Sequence, residues 1–135
     1  MTKQVAIITD STNDLPADLR EKFNIRVVPL TIVWGDKQYL DGIEITPEQF
    51  YEQLGTTSDH PTTSQPTPQD FTHAYEEAAF GGADEILVIT ISGAMSGTID
   101  SAKAAAEAFH IPVRVVDSKS NSMSLGWQIL AAARA

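Results

Sequence analysis

The sequence predicts an α/β fold, in which helices cover a mostly parallel sheet to give a layered α/β/α domain. Short apolar runs of strand length alternate with segments of helical periodicity along the 135 residues. Polar, hydroxyl-rich turns follow several of the apolar runs, which is typical of the carboxyl ends of parallel strands. The length allows a single domain with one sizeable core.

The first quarter of the chain predicts a strand, a helix and a long strand. Val5–Ile8 is an apolar run too short for a helix, and we expect a buried parallel strand there. The stretch NDLP at 13–16 opens a helix whose apolar residues recur every four positions until Asn24. Residues 25–34 form the longest β-rich run, and Pro29 within it indicates an edge position or a bulge.

The middle of the chain predicts a hairpin, two helices and a loop between them. Gly35-Asp36 is a turn signal that leads into a return strand at 37–40. Two similar stretches, TPEQ at 46–49 and TPQD at 67–70, open helices with Thr as the cap and Pro at the first position. Residues 55–66 lack apolar periodicity, so we expect a loop of about a dozen residues. The second helix ends at Gly81-Gly82.

The last third alternates strand and helix again. We expect strands at 85–91 and 113–116, a helix at 97–109 between them, and a final helix from Ser122. The final helix has no visible stop signal at 129–135, as if the chain were cut at a domain boundary.

Bulk composition excludes several function classes. Eighteen acidic and nine basic residues give a net charge of −9, which disfavours nucleic acid and anionic membrane surfaces as partners. The chain has no cysteine, so disulfides, zinc thiolates and thiol nucleophiles are excluded. No apolar segment approaches the roughly 20 residues of a membrane span, and the N-terminus lacks the apolar region of a signal peptide. We therefore expect a cytoplasmic protein without stable membrane insertion.

The turn Ser92–Thr98, SGAMSGT, is the first candidate binding site because it joins a predicted strand to a predicted helix. The unpaired amides at a helix N-terminus attract anions, and the hydroxyls of Ser92 and Ser96 add donors. Gly93 and Gly97 are expected to let a ligand approach the backbone. Simple helix capping is the competing interpretation. The turn has neither GxxxxGK[ST] nor GxGxxG, so it does not support a nucleotide.

The stretch PTTSQP at 61–66 is the second candidate, because prolines at both ends hold four polar side chains in a stiff, extended segment. An ordinary surface loop is the competing interpretation. Asp10, which follows the first strand, is expected to be a base or metal ligand or, more commonly, to bind loop amides. No second carboxylate is placed beside it, and His60, His73 and His110 are too scattered to suggest a catalytic triad.

Six stretches resemble the N-terminal domain of the DegV family, bacterial fatty-acid-binding proteins. The matching stretches are ITDSTNDLP (8–16), VVPLTI (27–32), YLDGIEITPEQFYEQL (39–54), PTTSQPTPQDF (61–71), ISGAMSGTIDSA (91–102) and VVDSKSNSMSLG (115–126). They follow family order and run nearly end to end.

The resemblance implies a binding protein rather than an enzyme, with no metal or cofactor. In this family two α/β domains hold one long-chain fatty acid, and hydroxyls bind its carboxylate. The protein then presents the lipid to the catalytic subunit of a fatty acid kinase. The residues carried over as carboxylate ligands are Thr63 and Ser96 or Ser92, with Gly97 and Thr98 shaping the site; the possible supporting residues are Asp10, Ser11, Ser64, Gln65 and Ser118.

Family members are roughly twice as long, so the resemblance implies that residues 1–135 are one domain and that the second, lipid-covering domain is missing. We therefore expect the 135-residue chain to bind lipid weakly or not at all. Two other functions stay open at this point. One is a small-molecule phosphoryl-transfer enzyme of a related α/β fold, which would need a histidine or acid cluster beside Ser96. The other is a non-catalytic interaction domain whose hydroxyl clusters are only caps and loops.

Overall fold

The protein's computed structural model describes residues 3–135, which form two sheets and five α-helices. The mixed α/β architecture predicted from the sequence is confirmed. The strands are β1 (Val5–Asp10), β2 (Arg26–Val28), β3 (Thr31–Trp34), β4 (Lys37–Leu40), β5 (Thr62–Ser64), β6 (Glu85–Thr90) and β7 (Val113–Asp117). The helices are α1 (Ala17–Lys22), α2 (Pro47–Leu54), α3 (Pro68–Phe80), α4 (Thr98–Glu107) and α5 (Ser122–Arg134).

The larger sheet has four parallel strands in the order β2-β1-β6-β7. Side chains of α3 and α4 pack on one face of this sheet, where Tyr75 and Phe71 are fully buried against Ile8. Side chains of α5 pack on the opposite face, where Leu125 and Ile129 are fully buried. Successive residues of a strand point to opposite faces, which is why β1 contributes to both cores.

The smaller sheet has three antiparallel strands in the order β4-β3-β5. Its core consists of Ile32, Trp34 and Ile45, and Phe50 of α2 covers it with ring centroids 5.1 Å from those of Trp34. Helix α2 begins at a complete capping box in which Thr46 and Gln49 satisfy each other's backbone amides. This sheet holds β5, and with it the second polar segment, beside the larger sheet.

Three expectations about local structure are wrong. Residues 25–34 are not one strand, because β2 ends before Pro29 at an edge of the parallel sheet and β3 begins after Leu30 in the antiparallel one. Residues 55–66 are not all loop, because β5 pairs with β3. The first helix does not open at NDLP. Its α-helical part starts at Ala17, because Asn13 and Asp10 first fold residues 11–13 into a 3₁₀ turn.

Within the part of the chain that the structure describes, no helix is long and apolar enough to cross a membrane.

Candidate functional site

Three turns follow neighbouring strands of the parallel sheet and therefore lie at the same end of it. The 3₁₀ turn Ser11–Asn13 follows β1, the turn Ser92–Thr98 follows β6, and Asp117 closes β7. Strand β6 lies between β1 and β7, so the turn Ser92–Thr98 is central. This is the edge at which open α/β sheets bind ligands.

The fully buried carboxylate of Asp10 joins the turn that follows β1 to the residue that precedes the turn Ser92–Thr98. One carboxylate oxygen accepts from the backbone N–H of Thr12 at 2.9 Å and from the Thr12 hydroxyl. The other accepts from the backbone N–H of Ile91 at 2.7 Å, directly before Ser92. Both oxygens are thus engaged with the chain, and the interpretation of Asp10 as an acid that binds loop amides is confirmed.

The carboxylate of Asp117, at the end of β7, also binds backbone amides of the turn Ser92–Thr98 and of its own loop. The sequence did not predict this role. Its carboxylate accepts from the backbone N–H of Gly93, 3.2 Å from each oxygen, and from the backbone N–H of Lys119 at 2.8 Å. A Cβ on Gly93 would lie 3.1 Å from the Asp117 Oδ2 and 3.3 Å from the Ile99 Cγ2. The available signal was an acid at the end of a strand, the position that made Asp10 a candidate.

The three hydroxyls of the turn pair with the chain but leave two protons unassigned, that of Ser92 and one of the Ser96–Thr98 pair. The Ser92 Oγ accepts from the backbone N–H of Ala94 at 3.2 Å. The Ser96 Oγ accepts from the backbone N–H of Thr98 at 3.2 Å and lies 2.8 Å from the Thr98 Oγ1, with either hydroxyl as donor. Because each hydroxyl has one proton, one of the two remains able to donate elsewhere. Capping and ligand binding are therefore compatible in this turn.

Two backbone amides at the start of α4 remain open. Across residues 92–101, which the structure describes in full, each N–H donates to an acceptor within the chain except those of Gly97 and Ile99. The N–H groups of a first helical turn carry partial positive charge. The turn therefore has two amide donors without an acceptor in this part of the chain, beside the spare hydroxyl proton of the Ser96–Thr98 pair.

The second polar segment meets this turn through Gln65. A Cβ on Gly97 would overlap the Gln65 Oε1 and would lie 2.9 Å from its Cδ and Nε2. The Gln65 Nε2 also lies 3.5 Å from the Ser101 Oγ as donor. The two clusters that the sequence singled out are thus brought together, although they are separated by some 30 residues in the chain. The space beside Gly97, expected to admit a ligand, is instead filled by a side chain of the protein.

Thr63 lies two residues before Gln65, in β5 opposite Ile32. Its side chain is exposed. Thr62 and Thr63 line a cavity of about 270 Å³ together with apolar residues of β3 and α2 and with Asp41. Burial raises the pKa of the Asp41 carboxyl, a hydrogen bond to Ser11 lowers it in part, and the charges of Asp14 and Asp10 raise it further.

The remaining supporting candidates hold loops or lie at the surface. The Ser11 Oγ accepts from the backbone N–H of Leu30 at 3.0 Å, which ties the first turn to the start of β3. The Ser118 Oγ donates to the Ser120 carbonyl at 3.1 Å and accepts from the Ser120 N–H at 3.2 Å. Ser64 is exposed in β5. Within residues 3–135, no three acidic or histidine side chains cluster closely enough to hold a metal ion.

The chain is similar in sequence to known proteins and similar in fold to solved structures. A family model described as "Uncharacterised protein, DegV family" matches residues 4–135. A DegV domain-containing protein of Streptomyces coelicolor is 43% identical over 133 residues, which are 98% of this chain and 47% of that protein. A fatty-acid-binding DegV family protein from Thermus thermophilus superposes with a TM-score of 0.87 at 42% identity, over 97% of this chain and 46% of that chain.

One further structure concerns a kinase system. The fatty acid kinase B3 protein of Streptococcus pneumoniae, solved with linoleic acid, superposes with a TM-score of 0.80 at 26% identity, over 97% of this chain and 47% of that chain. The chain therefore spans about half the length of the relatives that it matches.

Proposed function

The chain belongs to the DegV family, and we propose that it binds a long-chain fatty acid by its carboxylate and presents that carboxylate to a separate fatty acid kinase subunit. The similar Thermus protein is described as fatty acid binding, and the Streptococcus protein is a fatty acid kinase component solved with a fatty acid. Both likenesses cover nearly all of this chain.

The observation that carries the proposal is the pair of open amides, Gly97 N–H and Ile99 N–H, beside the Ser96–Thr98 hydroxyl pair. A carboxylate taken out of water needs several donors, because burying it unpaired costs several kcal/mol. Amides and hydroxyls supply donors without a fixed cation that would neutralise the head group. We propose Thr63 and Ser96 as the principal side-chain ligands, with Ser92, Gly97 and Thr98 shaping the site.

The proposal assigns phosphoryl transfer to the partner. Asp10 and Asp117, which lie on either side of the turn, are engaged with backbone amides, which supports a positioning role for both. His73 lies on the surface of α3, where it contacts Glu77. Since the partner would use ATP, we place the complex in the cytoplasm. We further propose that a second domain covers the acyl chain, since the similar proteins are about twice as long as these 135 residues.

The test is a titration of the ¹⁵N-labelled 135-residue chain with octanoate, followed by amide chemical shifts. Octanoate is short enough to stay soluble at the millimolar concentrations that weak binding needs. We expect the largest shifts at the Gly97 and Ile99 amides, and none at Gly82, which lies beside Gln4 before the start of β1. Shifts spread over other surfaces, or none at α4, would contradict the proposal.

Two variants sharpen this experiment. Thr63→Ala should weaken octanoate binding, whereas Thr56→Ala should not. Thr56 is the matched control because it is an exposed threonine that does not line the cavity beside Thr63. Native mass spectrometry of the purified 135-residue chain should find little bound fatty acid, because these residues span about half the length of the similar proteins described as binding fatty acids.

A further inference from the structure

Helix α2 carries more apolar residues than the fold buries. Phe50 is half-buried and covers the core of the smaller sheet, with its ring centroid 5.1 Å from that of Trp34. Pro47, Tyr51 and Leu54 recur at the i, i+4 and i+7 spacing of one helix face, and all three are exposed. Tyr51 is 70% exposed and Leu54 is 40% exposed. These three residues form an outer stripe of α2 that the described part of the chain leaves uncovered.

Contacts within the domain position this outer stripe. The Tyr51 ring meets the Phe50 ring edge to face, with centroids 5.6 Å apart. The helix itself starts at the capping box of Thr46 and Gln49. An aromatic ring that is supported on one side and exposed on the other is the kind of anchor that contributes most to binding at protein interfaces.

The residues beside the outer stripe carry negative charge. Glu48 and Glu52 lie one turn apart on α2, both are exposed, and neither forms an ion pair within residues 3–135. Residues 38–102 contain eleven acidic residues and no Lys or Arg, whereas the rest of the chain holds seven acidic and nine basic residues. The net negative charge of the protein therefore comes from the segment that contains α2. Such a surface attracts cationic partners and repels anionic lipid.

We propose that the outer stripe of α2 docks an amphipathic, basic helix of a partner protein. The three apolar residues of the stripe span two helical turns, which matches the apolar face of a partner helix that lies along α2. Lys or Arg residues beside that face would pair with Glu48 and Glu52. A second copy of this chain is disfavoured at the same surface, because two acidic stripes repel each other. The inference goes beyond the proposed function and does not depend on it.

The test is a titration of the ¹⁵N-labelled 135-residue chain with a synthetic amphipathic helix of Leu and Lys, about four turns long. We call this probe the Lys peptide, and the same sequence with Glu at every Lys position is the control peptide. Amide shifts locate the contact, and fluorescence anisotropy of the labelled peptide gives the dissociation constant. We expect shifts concentrated in α2 with the Lys peptide, a lower affinity at higher salt, and no α2 shifts with the Glu peptide.

Two variants test the apolar and the acidic parts of the surface separately. Tyr51→Ser should weaken binding of the Lys peptide about tenfold, whereas Phe80→Ser should leave it unchanged. Phe80 is the matched control because it is 97% exposed but lies at the end of α3. Glu52→Lys should weaken binding about fivefold, because it reverses a charge beside the stripe. Its control is Glu76→Lys at an exposed position of α3, which should weaken binding by less than about twofold.

Three outcomes would overturn the inference. Equal losses in each variant and in its α3 control would mean that the Lys peptide binds the acidic protein without a defined site. Shifts in α2 that grow with protein concentration in the absence of peptide would identify a second copy as the occupant. Shifts in α2 with phosphatidylglycerol vesicles but not with the Lys peptide would identify a membrane surface. Urea unfolding of all four variants checks that each is folded, and Glu52→Lys keeps the test decisive if Tyr51→Ser disturbs the packing of Phe50.

Discussion

The carboxylate of Asp10, at the end of β1, accepts a 2.7 Å hydrogen bond from the backbone N–H of Ile91, the residue before the binding turn. The same carboxylate binds the N–H of Thr12 at 2.9 Å. One fully buried side chain therefore fixes two turns that follow neighbouring strands. Asp10 therefore anchors the residue directly before the turn Ser92–Thr98 without contacting a hydroxyl of that turn.

Asp10→Ala should lower the free energy of unfolding by about 2–4 kcal/mol, because it leaves two backbone amides without their acceptor. The measurement is urea unfolding, with Asp18→Ala as the control. Asp18 is exposed in the first turn of α1, and its removal should cost well under about 1 kcal/mol. Equal losses of unfolding free energy in the two variants would contradict a stabilising role for the buried hydrogen bonds of Asp10.

Site residues that directly follow a strand could be predicted from the sequence. A contact between residues that are far apart in the chain could not. Asp10 and Ser92–Thr98 were found because parallel strands end together at one edge. Asp117 has the same signal and was missed, since an acid after the last strand had no predicted partner. The contact of Gln65 with Gly97 leaves no local trace, because glycine at the start of a helix is common for several reasons.

Helices and strands could be predicted where the spacing of apolar residues and the length of the segment indicate the same kind of element. The run at 5–8 is β1, and the two Thr-Pro helix starts are α2 and α3. Residues 25–34 were misassigned because an apolar run does not show which sheet each half joins. Strand β5 was missed because all three of its residues are polar and exposed, so no alternation marked it. Its position is set by pairing with β3, which is a tertiary effect.

Ser96→Ala and Thr63→Ala should separate capping from ligand binding. Ser96→Ala removes an acceptor of the Thr98 N–H and should lower the free energy of unfolding by about 1 kcal/mol while also weakening octanoate binding. Thr63→Ala should weaken binding with a stability change within about 0.5 kcal/mol, because the Thr63 side chain is exposed. Thermal unfolding and the amide titration measure the two effects. Unchanged binding in both variants would favour the interaction-domain alternative.

Asp41 should make stability fall as the pH rises. Burial raises its pKa above the ordinary value of 3.8, against a lowering contribution from Ser11 and with further raising contributions from Asp14 and Asp10. A raised pKa means that the folded state prefers the protonated carboxyl. This contribution to stability is fully present below pH 3.8 and is lost as the pH rises through the pKa in the folded state.

Asp41→Asn should therefore be more stable than the unmodified chain at pH 7, with the difference shrinking towards zero below pH 3.8. Urea midpoints of both proteins across this pH range give the comparison. The control is Asp36→Asn in the exposed hairpin turn, which should show no such pH-dependent gain. A destabilised Asp41→Asn at pH 7 would mean that the charged form is the one the fold prefers.

Gly126→Ala should destabilise the protein although the residue lies inside a helix, where alanine is normally preferred by about 1 kcal/mol. A Cβ on Gly126 would lie 2.7 Å from the backbone carbonyl oxygen of Asn13 and 3.1 Å from the Leu15 Cδ2. A backbone carbonyl cannot swing aside as a side-chain end can, so α5 or the 3₁₀ turn must shift. We expect a loss of about 1–3 kcal/mol in the free energy of unfolding, measured in urea.

Gly55→Ala is the control, because Gly55 ends α2 with right-handed helical angles. A Cβ there would meet only the Glu52 carbonyl oxygen, at 3.6 Å. That change should be neutral or stabilising. A stabilised Gly126→Ala would show that α5 does not pack directly on the turn that Asp10 holds.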